Sequence, residues 1–258
     1  MRGAGRLIRL IARLGGLDVS FSKAVDNADA FDRKLLSSYI RGDRLVALYE
    51  RSMRATGMEW SDNFSKRCRY FSLCQILETV LSRGVSGHIA ECGCWRGHSA
   101  HMISSILRDH DFKERLHIFD SFEGLSGLTE LDRNERVELS PEQIKAQAQF
   151  FACDEGVVRA NLAEFPFVET YKGWIPTRFP EVERLRFSFV HIDVDLYEPY
   201  RDAITFFYPR MAKGGAIVFD DYGLSQFPGA QTAVDEAVRK FNPSFFYRVP
   251  TGGAFLLA

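Results

Sequence analysis

The chain has 258 residues, 46% of them hydrophobic and 26% charged, which suits one large domain, or one domain with appendages, and excludes a globally disordered chain. A formal net charge of -1 gives no broad electrostatic case for nucleic acid. No apolar run reaches the roughly 18 residues of a membrane span, and the five cysteines are irregularly spaced, as in a cytoplasmic protein with reduced thiols.

Residues 1–30 are weakly patterned. Within them Arg2-Gly-Ala-Gly-Arg-Leu-Ile-Arg-Leu-Ile-Ala-Arg-Leu14 alternates basic and apolar residues, and its arginines interrupt any signal-peptide core. It reads as a short basic amphipathic helix, with a surface or oligomer contact favoured over a membrane surface. From Phe31 to Thr56 apolar residues recur at helical spacing, Leu35, Leu36, Tyr39, Leu45, Leu48 and Tyr49 among them. Residues 57–66 read as a polar loop, and Cys68 to Arg83 as a helix stopped by Gly84. Residues 1–66 are therefore set apart as an N-terminal helical extension and 67–258 as the main domain.

A regular alternation follows. Strands are expected at residues 88–92, 115–120, 167–171, 187–193 and 216–219, and helices at 99–109, 141–151, from 161, at 198–208 and at 232–240. Residues 121–141 read as a long loop. Residues 244–249 and 254–257, joined by Pro250-Thr-Gly-Gly253, read as an antiparallel hairpin. Strand–helix alternation closed by a hairpin predicts an α/β fold with a doubly wound, mostly parallel sheet and an antiparallel edge.

Two of these strands share a chemical signature. Phe187-Ser-Phe-Val-His-Ile192 is apolar enough to be buried on both faces and is followed by Asp193 and Asp195. Gly215-Ala-Ile-Val-Phe219 is followed by Asp220 and Asp221. Ligand crevices of such sheets lie at the carboxyl ends of the strands. Alternation along a continuing strand predicts Asp193 and Asp195 on one side. Four carboxylates at one sheet edge are costly unless a cation sits among them or some are protonated.

The turn Glu91-Cys-Gly-Cys-Trp-Arg-Gly97 joins the first strand to its helix. Gly93 permits a tight turn and Gly97 a close approach. The spacing is neither the dinucleotide pattern nor a phosphate loop. Glu91 would repel a pyrophosphate and suits a ligand carrying an ammonium group. Asp120 ends the second strand, where an acidic residue takes ribose hydroxyls. Cys92, Cys94, His98 and His101 have soft-ligand spacing, but ring closure on one zinc ion looks strained across a turn and a helix start. His191 reads first as a core histidine satisfied by hydrogen bonds and second as a group that orients the site. Trp95 and Trp174 read as core first and stacking platforms second. Tyr197 and Tyr222 are candidates for an acceptor pocket.

Glu91-x-Gly-x-x-x-Gly97, Ile118-Phe-Asp-Ser-Phe-Glu-Gly124, Lys172-Gly-Trp174, His191-Ile-Asp-Val-Asp-Leu-Tyr-Glu-Pro199, Phe219-Asp-Asp-Tyr222 and Pro228-Gly-Ala-Gln-x-Ala-Val-Asp-Glu236 occur in this order. Over residues 68–258 the set resembles the macrocin O-methyltransferase family, metal-dependent sugar-methylating enzymes that use S-adenosylmethionine. The resemblance implies a class I methyltransferase-like fold. It implies that Glu91, Gly93, Gly97, Asp120, Ser121 and Phe122 bind the donor, and that Asp193, Asp220 and Asp221 bind a divalent cation. All-oxygen ligation points to Mg, with Mn or Ca less suited. Asp195 is left as the base.

The expected function is methyl transfer from S-adenosylmethionine to a hydroxyl of a sugar or small polyol, so the partner is a small hydroxylated acceptor rather than nucleic acid. A catechol or phenol acceptor is the alternative. A non-catalytic S-adenosylmethionine-binding module is the alternative of another class, disfavoured because it needs no metal site. A metal-dependent hydrolase is disfavoured by Glu91 and the missing phosphate ligands. The N-terminal extension leaves both a homo-oligomer contact and a lid over the acceptor open.

Overall fold

The computed structural model describes residues 44–133, 140–226 and 228–258. Helices α1 (Arg44–Thr56) and α2 (Phe64–Ser82) precede strand β1 (His88–Cys92). Then come α3 (His98–Asp109), β2 (Leu116–Asp120), α4 (Pro141–Phe150), α5 (Glu155–Asn161), β3 (Val168–Lys172) and β4 (Phe187–Ile192). The chain closes with α6 (Tyr197–Phe207), β5 (Met211–Phe219), α7 (Pro228–Phe241), β6 (Phe245–Arg248) and β7 (Ala254–Leu257).

The strands form one seven-stranded sheet in the order β3-β2-β1-β4-β5-β7-β6. β1 to β5 pair in parallel, while β7 runs antiparallel to both β5 and β6. This is the doubly wound sheet with an antiparallel hairpin that the alternation of patterns predicts. After β3 the chain crosses back to pair β4 with β1, so strand order reverses at β1 and β4. The crevice at their carboxyl ends is the natural ligand site of such a sheet.

Alternation along each strand feeds two cores. Ile89, Leu116, Ile118, Phe189 and Val218 pack with Leu48 of α1, Leu73 and Leu77 of α2, and Met102 and Ile106 of α3. Ala90, Phe119, Val190, Ile192 and Phe219 pack with Tyr200 and Phe207 of α6 and Val234 of α7 on the other face. Phe187 and Phe189 are two residues apart yet reach opposite cores, because the register of β4 on β5 shifts between them.

Several boundaries differ from the sequence reading, each for a local reason. Part of the expected loop at 57–66 is a single 3-10 turn, Glu59–Ser61, and α2 starts at Phe64. Its cap is Asn63, whose side chain accepts from the Lys66 amide at 2.9 Å. The helix expected to begin at Asn161 instead ends there. It begins after Asp154, whose carboxylate accepts from the Gly156 amide at 2.8 Å. In both places a cap, not hydrophobic periodicity, sets the start. The boundary drawn between residues 66 and 67 falls inside α2, and α1 and α2 contribute to the same core as β1. An amphipathic helix has the same pattern whether it packs on its own domain or on an appendage. The basic segment near the N-terminus and the helical pattern before Arg44 lie outside the described residues. Among the described residues no helix is long and apolar enough to cross a membrane.

Candidate functional site at the carboxyl edge of the sheet

The parallel ladder continues just past the strands and brings their ends together. The Asp193 amide donates to Cys92 O at 2.8 Å, the Asp220 amide to Ile192 O at 2.9 Å, and the Gly93 amide to Phe119 O at 2.8 Å. Gly93 has φ +79°, and a Cβ there would collide with the Asp193 carbonyl oxygen. Glycine is required because the β1 turn lies directly against the end of β4.

A cleft opens at this edge. Gly93, Asp120, Ser121, Trp174, Asp193 and Asp195 are among its lining residues. Trp95 and Phe151 line it too, and with Trp60 and Phe150 they form an aromatic cluster whose ring centroids are 5.2–5.7 Å apart. Trp60 and Phe150 are exposed.

Three residues expected to touch the donor do not line the cleft. Glu91 is 0% exposed, and its Oε1 accepts from His191 Nδ1 at 2.9 Å. Gly97 starts α3 with φ +88° and faces Val158. Phe122 is buried in the core on the α3 face of the sheet. Tyr197 and Tyr222 also turn elsewhere. Their hydroxyls donate to Glu236 at 2.8 Å and Asp235 at 2.9 Å, both on α7.

Asp120 holds the β1 and β2 ends together. Its Oδ2 accepts from the amides of Cys94 at 2.7 Å and Trp95 at 3.2 Å, and its Oδ1 from the amide of Phe122 at 2.7 Å. A carboxylate has about four acceptor positions, so at least one remains for a ligand in the cleft. Ser121 Oγ donates to Gly124 O at 2.8 Å and accepts from the Glu123 amide at 3.1 Å, which shapes the same loop.

Trp95, Phe122 and Asp195 are in the left-handed region, with φ of 48°, 57° and 59°. For non-glycine residues this costs about 1–2 kcal/mol each. All three amides donate to a carboxylate of the site: Trp95 and Phe122 to Asp120, Asp195 to Asp221 Oδ2 at 2.9 Å. The carboxylates thus stabilise strained turns that carry the cleft walls. They also correct the reading of Asp195. β4 ends at Ile192, so Asp195 reaches the cleft through a turn and not through strand alternation.

At the ends of β4 and β5, Asp220 and Asp221 are buried while Asp193 and Asp195 are half-buried. Asp221 Oδ2 also accepts from Tyr200 Oη at 3.0 Å. Helix α2 supplies two cations that sequence reasoning missed. Arg69 Nε donates to Asp220 Oδ2 at 2.9 Å. Lys66 is buried and bonds Ser61 Oγ at 2.9 Å; burial lowers its pKa to about 8, against the pull of Asp193 and Asp220. These cations do not neutralise the cluster. Desolvation and the Asp220, Asp221 and Asp195 carboxylates hold Asp193 well above the usual carboxylate range. Desolvation, Asp221 and Asp220 do the same to Asp195. Desolvation and Asp220 raise Asp221 to about 6. Two buried polar atoms beside the cluster, His191 Nε2 and Glu91 Oε2, have no hydrogen-bond partner. The donor set, its excess negative charge and an orphaned imidazole nitrogen all fit a divalent cation.

The cysteine–histidine pattern does not close on an ion. Among the described residues, the group with metal-ligand spacing is His191, Asp193 and Asp220. His98 instead bonds the Tyr49 carbonyl at 3.1 Å and His101 the Ser52 hydroxyl at 2.9 Å, both on α1.

The sheet order, the switch-point cleft and the antiparallel strand pair define a class I methyltransferase-like fold. The chain belongs to the macrocin-O-methyltransferase family, whose model it matches over residues 23–243, and is an S-adenosylmethionine-dependent O-methyltransferase. The match starts well before residue 67 and so takes in much of the stretch set apart as an extension. Demethyldecarbamoylnovobiocin O-methyltransferase of Streptomyces niveus is 28% identical over 202 residues, 75% of each chain. The 8-demethyl-8-(2,3-dimethoxy-alpha-L-rhamnosyl)-tetracenomycin-C 4'-O-methyltransferase of Streptomyces olivaceus is 31% identical over 153 residues, 57% of this chain and 58% of its own. Among solved structures, the O-methyltransferase NovP superposes with a TM-score of 0.67 at 22% identity, covering 82% of this chain and 98% of NovP. That likeness concerns the fold.

Proposed function

We propose that this methyltransferase acts on a hydroxyl of a sugar or sugar-bearing small molecule and needs a divalent cation at the ends of β4 and β5. The observation that carries the metal reading is the excess of carboxylate over cation there: Asp193, Asp195, Asp220 and Asp221 crowd together against Arg69, which pairs with Asp220, and the buried Lys66. A relative named for a rhamnosyl-bearing substrate supports the acceptor class.

In this reading Asp193, Asp220 and Asp221 would hold the cation, which would supply a Lewis acid for the acceptor hydroxyl. Asp120, Ser121 and the exposed face of Trp174 receive the nucleoside part of the donor, and Gly93 lets it lie against the backbone. The acceptor oxygen attacks the methyl carbon in line with the sulfonium. The new C–O bond forms as the C–S bond breaks, leaving a methyl ether and S-adenosylhomocysteine. Asp195 accepts the hydroxyl proton as general base. Burial and the Asp221 and Asp220 carboxylates raise its pKa above the usual carboxylate range. The left-handed turn fixed by Asp221 aims it at the cleft.

The test is a labelled-methyl screen of sugars, sugar-bearing metabolites and catechols, with Mg and after chelation. Label on a sugar hydroxyl only when Mg is present is the expected result. Label on catechols alone overturns the acceptor class, and undiminished transfer after complete metal removal overturns the metal requirement.

A further inference from the structure

We propose that Asp132 is a positioning residue for methyl transfer: it fastens the loop that walls the cleft to the turn that carries Asp195. The inference rests on the reading of Asp195 as general base and adds a residue on which that reading does not depend.

The loop after β2 runs from the donor half of the cleft to the acidic half. It begins at Ser121, and Gly124, Leu125 and Ser126 line the cleft with it. Near its start it is tied to α4. The Leu125 amide donates to Ala148 O at 3.2 Å, and a Cβ on Gly124, at φ +93°, would collide with that same oxygen. Its far end is tied by Asp132, which closes the short 3-10 turn Glu130–Asp132 and is 2% exposed. Asp132 Oδ2 accepts from the Thr129 amide at 2.8 Å and the Thr129 hydroxyl at 2.7 Å. Asp132 Oδ1 accepts from the Tyr197 amide at 2.6 Å.

Tyr197 is the first residue of α6, and Leu196 before it makes no side-chain hydrogen bond that caps the helix. Asp132 does from 65 residues away what a cap does locally: it accepts from an orphan amide and brings negative charge to a helix N-terminus. Asp195 lies two residues before Tyr197, and its own amide is held by Asp221. The turn between them is thus gripped at both ends, by Asp221 at Asp195 and by Asp132 at Tyr197. Helix α7 closes the arrangement from behind, since a Cβ on Gly229 would collide with Asp132 Oδ1. One buried carboxylate therefore sets the distance between a cleft wall and the base. In-line transfer is sensitive to that distance, and a misplacement of about 1 Å costs about 10²-fold in rate.

Two variants of the full chain test this. Asp132→Asn keeps the size of the side chain but turns one acceptor into a donor, so either Thr129 or Tyr197 loses its partner. Gly229→Ala pushes on the same carboxylate from α7 and is in itself a favourable change for a helix. Both are followed by hydrogen-exchange mass spectrometry with S-adenosylmethionine and Mg present, and by labelled-methyl transfer to a methyl rhamnoside. Exchange should rise in residues 121–133 and 193–200 together. The kcat should fall about 10–100-fold while S-adenosylmethionine affinity stays within about twofold of wild type. Label should spread over more than one ring hydroxyl. A lower Tm with wild-type exchange at 193–200 and wild-type kcat overturns the positioning role. Absence of label on the rhamnoside with the wild-type protein counts against the acceptor reading alone. Exchange at 193–200 then still decides the role of Asp132: a rise supports it and no change overturns it.

Discussion

The two halves of the cleft use the same device, a parallel strand ending in a carboxylate, and reach opposite electrical states. At β1 and β2, Asp120 is satisfied by three backbone amides and needs no cation to hold its turns. At β4 and β5 four carboxylates crowd together, Arg69 pairs with Asp220, and Asp193, Asp195 and Asp221 are all pushed toward protonation. One half is preorganised by its own backbone. The other is left incomplete by the chain, and incompleteness of that kind marks where a charged ligand belongs.

The contrast breaks most sharply at Asp193. Asp193→Asn should abolish cation-dependent turnover while donor affinity, measured by calorimetry, stays within about twofold of wild type. Joint loss of turnover and donor binding would show the halves to be one unit. Asp195→Asn should keep both affinities and lower the rate by roughly 10²–10⁴. Loss of the cation in that variant would make Asp195 a ligand. Asp120→Asn tests the other half: donor affinity should fall about 10- to 100-fold, for one charge-assisted hydrogen bond, with cation affinity unchanged.

The smallest expected effect is on stability against pH. Asp221, raised from 3.8 to about 6, with Asp193 and Asp195 raised as well, retains protons in the metal-free fold that the unfolded chain has released. Above pH 4 or so the folded state therefore binds more protons, and stability falls as pH rises through about 6. A cation displaces those protons, so the rise in Tm on adding Mg should be larger at about pH 8 than at about pH 5. A rise that shrinks with pH would place the cation elsewhere.

The acidic ends of β4 and β5 were legible because an apolar run ending in carboxylates has few other uses in a parallel sheet. The hairpin was legible from its Pro-Thr-Gly-Gly turn. Other features depend on tertiary neighbours. Lys66 and Arg69 occur in Phe64-Ser-Lys-Arg-Cys-Arg69, a polar stretch that looks like any solvated helix start. Only packing against β5 turns them to the acids. Glu91 and His191 are a hundred residues apart, and their pairing follows from β1 lying beside β4. The turn at Asp195 breaks the alternation by which it was placed, because its amide is held by Asp221.

The most direct measurement follows donor binding and methyl transfer in the same protein before and after metal removal. The account predicts that chelation stops transfer, that Mg or Mn restores it, and that S-adenosylmethionine affinity is the same throughout. Transfer that continues in protein free of residual metal would contradict the division of the cleft into a self-sufficient half and one completed by a cation.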